Sequence, residues 1–264
     1  PKMDRSFVKE LPNLSNEQIA FECISKFSGD DIDDVSLKSI IAETINFNFP
    51  CKELSDKISV LELFHGPTMA FKDVGARFTS RVLSHFNISE KRKKTVLVAT
   101  SGDTGAAVAS GFHKVKGINV FILFPKGRIS KVQEKQITSF SGNIYPVEVE
   151  GSFDECQKMV KDALTDTDLR SKFNFTTANS INISRWIPQI LYYFFAYKEI
   201  AVKHKNIAFS IPSGNFGNFF SCLVAIGMGI PVKYVIASNN SNDTFKKFIE
   251  SNYYTPQRSV RTIS

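Results

Sequence analysis

From about residue 58 onward, short apolar runs alternate with amphipathic stretches. Val96–Ala99, Val120–Phe124, Ile144–Val149, Ile207–Ile211 and Val232–Ala237 are nearly continuous apolar segments of strand length, as expected of strands covered on both faces. Between them the apolar positions recur with helical spacing. Val74, Phe78, Val82 and Phe86 predict a helix following Lys72. Others are predicted over Gly105–His113 and from Phe153 through Cys156, Val160 and Ala163. The longest is predicted from Arg185 to about His204, with Pro188 accommodated in its first turn. Strands alternating with helices predict an α/β fold with parallel sheets and helices packed on both faces. In such sheets ligands sit beyond the carboxyl ends of the strands.

Residues 1–56 differ: they read as helical and polar. Ser15 with Gln18 three residues later is a helix-start signal. Asp30–Asp34 forms an acidic turn, and Val35, Leu37, Ile40, Ile41 and Ile45 mark a second helix. This part carries no evident chemistry and is expected to be a supporting layer.

Composition narrows the picture. The 264 residues are 42% hydrophobic and 22% charged, which excludes a disordered or collagen-like chain, and 24 Phe imply a bulky core. No run approaches the roughly 20 apolar residues of a membrane-spanning helix, so a soluble protein is expected. The net charge is +7. Its densest basic run, Lys91–Lys94, sits in a connection and lacks any accompanying nucleic-acid-binding signature. Cys23, Cys51, Cys156 and Cys222 are scattered in apolar settings, as expected of reduced thiols in a cytoplasmic protein. His65, His85, His113 and His204 lack metal-ligand spacing.

Three loops break the pattern. In Ile211-Pro-Ser-Gly-Asn-Phe-Gly-Asn218 a strand runs into small residues and a helix begins near Phe216. Free N–H groups at such a start, with the helix dipole, suit a phosphate; a plain tight turn is the alternative. In Ala99-Thr-Ser-Gly-Asp-Thr-Gly105 the same grammar recurs, with the hydroxyls of Thr100, Ser101 and Thr104. This reads as a second anion cradle, or as a helix capped by Asp103 or Thr104. Within Phe64-His-Gly-Pro-Thr-Met-Ala-Phe-Lys-Asp73, Lys72 stands at a predicted helix start behind Met69, Ala70 and Phe71. The dipole and an apolar setting both favour its neutral, nucleophilic amine, which could bond an aldehyde.

Together these segments resemble the threonine synthase family. Glu62–Asp73 is similar to the family's segment bearing the Schiff-base lysine, and Thr100–Ala107 to its substrate and cofactor loop. Ala178-Asn-Ser-Ile-Asn-Ile-Ser-Arg185 and Ser213–Gly217 resemble further motifs, in the family's order. The resemblance implies a fold-type II pyridoxal-phosphate enzyme of the tryptophan synthase β-like type, with two α/β domains clasping pyridoxal 5'-phosphate. The division implied is an N-terminal helical segment 1–56, a larger cofactor domain of 57–75 and 190–264, and a smaller inserted domain 76–189. The reaction implied is conversion of O-phospho-L-homoserine and water to L-threonine and phosphate.

By the same resemblance Lys72 is the Schiff-base lysine. Gly214, Asn215, Phe216 and Gly217, with Asn218 adjacent, hold the cofactor phosphate. Thr100, Ser101, Asp103 and Thr104 face the substrate carboxylate and cofactor ring, Asp103 steadying the cofactor hydroxyl. Asn179, Asn182 and Arg185 hold the substrate phosphate. The family's chain begins upstream of Pro1 and continues beyond Arg261–Ser264, where the partner of the pyridine nitrogen is expected. This chain is therefore expected to be a piece of such an enzyme. Neither nucleic acid nor membrane is expected as a partner. The rival readings are a related phospholyase, a Ser/Thr dehydratase, and a non-catalytic anion-binding domain.

Overall fold

The computed structural model describes residues 1–87, 92–257, 260 and 262. Lys91 of the basic run, and Arg261, Ile263 and Ser264 of the terminal stretch, lie outside the described residues.

The chain opens with helices α1 (Arg5–Glu10), α2 (Asn16–Ser28) and α3 (Asp34–Thr44) and an antiparallel hairpin of β1 (Cys51–Ser55) and β2 (Ile58–Leu61). Then come α4 (Lys72–Asn87), β3 (Lys94–Ala99), α5 (Asp103–Phe112), β4 (Ile118–Pro125), α6 (Lys131–Thr138), β5 (Ile144–Val149), α7 (Phe153–Thr165), α8 (Thr167–Lys172) and β6 (Asn174–Thr177). Two 3-10 turns, Ile183–Arg185 and Ile187–Gln189, lead into α9 (Ile190–Ile200). β7 (Ala208–Pro212), α10 (Gly217–Met228), β8 (Tyr234–Ser238) and α11 (Thr244–Ser251) complete the elements.

The predicted parallel sheets are present. One is four-stranded in the order β5-β4-β3-β6, with Lys94 opposite Ile118 and Ala99 opposite Leu123; the other pairs β7 with β8. Along β3 the side-chain alternation separates two cores. Val96 and Val98 pack with Val108 and Phe112 of α5 and Ile137 of α6. Leu97 and Ala99 pack with Cys156 and Val160 of α7 on the opposite face. That is why these runs are apolar at every position rather than at every second one.

A third core joins α2, α3, α9 and α10 to Val74 and Phe78 of α4, while Ala76 of the same helix packs into the sheet core. Helix α4 thus belongs to both halves, and its first residue is held from two sides. The N-terminal helices are built into this core. The cap expected at Ser15 is there: its hydroxyl accepts from Gln18 N–H while the Gln18 side chain takes Ser15 N–H.

Several expectations need correction. The long helix over Arg185–His204 is two 3-10 turns and an 11-residue helix. Pro188 offers no N–H, and the buried Arg185 pins the chain before α9 begins. Helix α4, at 16 residues, is longer. The helical reading of residues 1–56 fails at Cys51, where β1 starts. Strand β6 escapes an apolar-run criterion because Asn174-Phe-Thr-Thr177 is an edge strand with one neighbour. Met69 does not help to bury Lys72; its side chain is exposed. Among the described residues no helix is long and apolar enough to cross a membrane.

Candidate active site

The carboxyl ends of β3 and β7 and the amino ends of α4, α5 and α10 surround one cavity of about 510 Å³, within the usual size of a small-molecule site. Lys72, Thr100, Ser101, Asp103, Thr104, Asn179, Arg185 and Gly214–Asn218 all line it. Four segments distant in sequence therefore converge. Of the residues singled out from sequence, Asn182 is not on this lining.

Lys72 opens α4, and its backbone is held by what surrounds it. The hydroxyl of Tyr192, buried on α9, donates to Phe71 O. Asp73, also buried, accepts from Thr68 N–H at 2.9 Å and from Thr68 Oγ at 2.5 Å. Gly66 is needed there, because a Cβ would run into the Asp73 carboxylate. Met69 takes a left-handed φ of 55°, a conformation that non-glycine residues hold only when their surroundings impose it.

Lys72 Nζ lies 3.4 Å from Asp103 Oδ2 and 5.2 Å from the centre of the Phe71 ring. Burial lowers its pKa below the ordinary lysine value, the Asp103 carboxylate works against that shift, and the Arg185 guanidinium adds to it. The shift runs in the direction expected from the sequence and is supplied by burial and a neighbouring cation.

The two glycine loops differ. After β7, Ser213 N–H donates to Ser238 O, and the first intrahelical bond of α10 runs from Phe220 N–H to Phe216 O. The N–H groups of Gly217, Asn218 and Phe219 thus precede the helix's own bonding pattern, as at any α-helix start. Phe216 has a left-handed φ of 57°, with its ring packed 4.0 Å from the centre of Phe245. A Cβ on Gly214 would meet no protein atom. Asn218 holds the loop rather than facing a ligand with its amide: Nδ2 donates to Gln189 and Oδ1 accepts from Tyr193 OH at 2.7 Å.

The loop after β3 is closed on itself. Thr100 Oγ, fully buried, accepts from Gly102 N–H and Gly105 N–H and donates to Gly102 O. Its hydroxyl is therefore committed to the loop, while the side chains of Ser101, Asp103 and Thr104 and the N–H groups of Asp103 and Thr104, which precede the bonding pattern of α5, are left to face a ligand. Neither Asp103 nor Thr104 caps α5; Gly102 occupies that position with φ 146°.

In the segment after β6, Asn179 clamps β3: its Oδ1 accepts from Ala99 N–H at 3.0 Å and its Nδ2 donates to Ala99 O at 2.7 Å. Asn182 donates to Thr177 O and accepts from Ser184. Both amides shape the segment. Arg185 is different. It is buried, its Nη1 donates to Ala178 O, and its Nε has no partner. Burial pushes its pKa down to about 10, which leaves it cationic at neutral pH. It fits under α4 because Gly75 has no side chain to strike it. A buried guanidinium lining a cavity without a bonded carboxylate calls for an anion there.

Sequence reasoning overlooked Gln133, Gln157, Lys161, Ser180 and Gln189, which also line the cavity. Gln133 carried a signal: with Ser130 it forms a capping box readable as Ser-x-x-Gln. The others lie on helices and turns where no local pattern separates a wall residue from a solvated one.

The family model "Pyridoxal-phosphate dependent enzyme" matches residues 46–264. The chain is 46% identical to the threonine synthase of Buchnera aphidicola subsp. Baizongia pistaciae, over 98% of this chain and 63% of the relative. It is 40% identical to that of Escherichia coli K12, over 100% and 61%. Thus it spans about three-fifths of the length of these curated relatives. The crystal structure of E. coli threonine synthase superposes with a TM-score of 0.93 at 39% identity, covering 100% of this chain and 61% of that one. Pyridoxal-phosphate-bound threonine synthase from Brucella melitensis superposes at 0.90 with 33% identity, covering 99% and 58%. Maize serine racemase, at 16% identity and 0.67, shares the fold.

The donor set suits such a cofactor. The open face of Gly214 and the start of α10 form a backbone cradle of the kind that holds phosphate, and Lys72 offers an amine to an aldehyde from the same cavity wall.

Proposed function

The chain belongs to the pyridoxal-phosphate dependent enzyme family, and from that premise we propose that it carries the site at which O-phospho-L-homoserine and water are converted to L-threonine and phosphate. One observation carries the reading: a lysine amine with depressed pKa, a backbone cradle and a buried arginine without a bonded carboxylate share one cavity. The resemblance of the chain to threonine synthases supports it.

When bound, pyridoxal phosphate supplies an aldehyde that an amine can join and a ring that withdraws electrons from the substrate's α-carbon. Its phosphate would rest on the backbone of Gly214–Gly217. The residues of the chain do the rest. Lys72 Nζ, its pKa lowered by burial and by Arg185 against the opposing Asp103, accepts the proton of the α-carbon. Asp103 stands beside that amine and can hold the resulting positive charge. Arg185 supplies fixed positive charge toward the substrate phosphate. Phe71, Phe153 and Val160 supply apolar wall to the cavity.

The chain's division goes with this reading: residues 1–56 as a segment of helices that ends in strand β1, 57–75 and 190–264 as the cofactor-holding part, and 76–189 as the inserted part. So does a cytoplasmic setting with a small-molecule substrate.

The test uses the full-length protein with O-phospho-L-homoserine, following phosphate and threonine separately. Equal amounts of both are expected, together with borohydride-trapped cofactor on Lys72 and loss of both products in Lys72→Ala. Phosphate with a keto acid in place of threonine would make it a phospholyase. Turnover of free serine or threonine would make it a dehydratase. Phosphate-compound binding without any trapped lysine would leave only an anion-binding domain.

A further inference from the structure

We propose that Gln133 of α6 is a positioning residue that sets the direction of the Asp103 carboxylate and, through it, of the Lys72 amine. The inference deepens the reading above and rests on Lys72 being the reacting amine. Gln133 Nε2 donates to Asp103 Oδ1 at 2.7 Å, while Asp103 Oδ2 is the oxygen 3.4 Å from Lys72 Nζ. The other end of the amide is fixed as well: Gln133 Oε1 accepts from Ser130 N–H at 3.2 Å and from Ser130 Oγ at 3.1 Å. A backbone N–H can only donate, so the amide oxygen must face Ser130 and the NH₂ must face Asp103. The donor at Oδ1 leaves Oδ2 for the lysine.

Gly102 completes the arrangement. Its φ of 146° suits glycine, and a Cβ there would collide with the Gln133 amide. The glycine between Ser101 and Asp103 is thus what admits Gln133 from a separate helix. The competing role for Gln133 is the cap of α6. That role explains its oxygen but not its nitrogen, which reaches a residue 30 positions away.

Lys72 is faced by Asp103 from α5 and Arg185 from the turn before α9, with Asp73 beside it on α4 and Lys161 of α7 lining the same cavity. Asp103 is the carboxylate that opposes the burial shift of the amine, so its orientation is readable in the titration of Lys72.

The experiment strips the full-length protein of cofactor with hydroxylamine. The pH dependence of Lys72 acylation by trace acetic anhydride is then measured by mass spectrometry against surface lysines. With Gln133→Ala, Asp103 is no longer held and the Lys72 midpoint moves to lower pH. With Gln133→Glu, which keeps the capping box, the added negative charge moves it to higher pH. Ser130→Ala removes the hydroxyl but keeps the backbone N–H, so stability falls while the midpoint stays. In an Asp103→Asn background, Gln133→Ala produces no further shift. Turnover of the cofactor-loaded Gln133→Ala protein falls by about 10- to 100-fold, as small misplacements at a reacting centre do. An unmoved midpoint in Gln133→Ala, or an equal shift in Ser130→Ala, would reduce Gln133 to a helix cap and overturn the proposal. The titration needs no turnover, so a wrong reaction assignment would appear separately, as absent threonine with the shifts intact.

Discussion

The loops after β3 and β7 look alike in sequence, and the structure ties them down to different degrees. Each follows a parallel strand, contains two glycines and opens a helix. The loop after β3 ties the N–H groups of Gly102 and Gly105 to the buried Thr100 hydroxyl and presents the side chains of Ser101, Asp103 and Thr104 to the cavity. The loop after β7 leaves Gly214 open and presents backbone. A loop that folds onto its own hydroxyl cannot also bind an anion with the same N–H groups. Small residues and helix starts therefore announce a turn at a strand end, and only the hydrogen-bond accounting shows which N–H groups stay open.

Substituting glycines should separate the two most sharply. Gly214→Val adds a side chain where no protein atom stands. The fold should survive with unchanged urea midpoint while cofactor affinity, followed by absorbance titration, falls by about 100-fold, near 2.7 kcal/mol. Gly105→Ala should do the reverse. Its methyl would meet Thr100 Cγ2 and Ile137 Cδ1 at 2.6 and 2.7 Å, and overpacking of this kind costs about 1–3 kcal/mol in urea unfolding. Equal stability losses at both sites would erase the distinction.

The hydroxyls give a smaller contrast. Thr100→Val leaves Gly102 N–H without its acceptor, while Gly105 N–H keeps Gly102 O, a loss of about 1–3 kcal/mol. Ser213→Ala removes a hydroxyl whose bond is a 3.2 Å donation to Ile211 O, and stability should change by less than about 0.5 kcal/mol. Denaturant melts of the two variants side by side would check the difference.

The smallest effect concerns the amine between the loops. Because the folded-state pKa of Lys72 is depressed, the unfolded chain binds more protons than the folded one between that value and 10.5. Stability therefore rises with pH through this window. Lys72→Met removes the penalty, so the melting temperature of the cofactor-free protein should rise at neutral pH. The gain should fade as pH approaches 10.5. A melting-temperature gain that grows with pH would reverse the sign argued here.

Strands β3, β4 and β5, the helix beginning at Lys72, the Ser15 cap and the lysine itself were legible from local pattern. Each rests on interactions within a few residues or on burial that makes whole runs apolar, and such signals survive in one dimension. The hairpin β1–β2 and the edge strand β6 were not legible, since half-exposed strands need not be apolar. The 3-10 turns before α9 were hidden for another reason: Arg185 lies under α4, and nothing near it in sequence announces a buried cation.

Chemical identity of the groups was likewise written in the residues: an amine at a helix start, a carboxylate, a guanidinium and two glycine loops. Which of them are free to act was decided in three dimensions. Asn179, Asn182 and Asn218 look like ligand-binding amides, yet their hydrogen bonds go to Ala99, Thr177, Ser184, Gln189 and Tyr193. Gln133 looks like a cap and also reaches Asp103. Residue type fixes what a side chain can donate or accept, but hydrogen-bond capacity is finite. The long-range packing that brings partners together determines how much of it remains for a ligand.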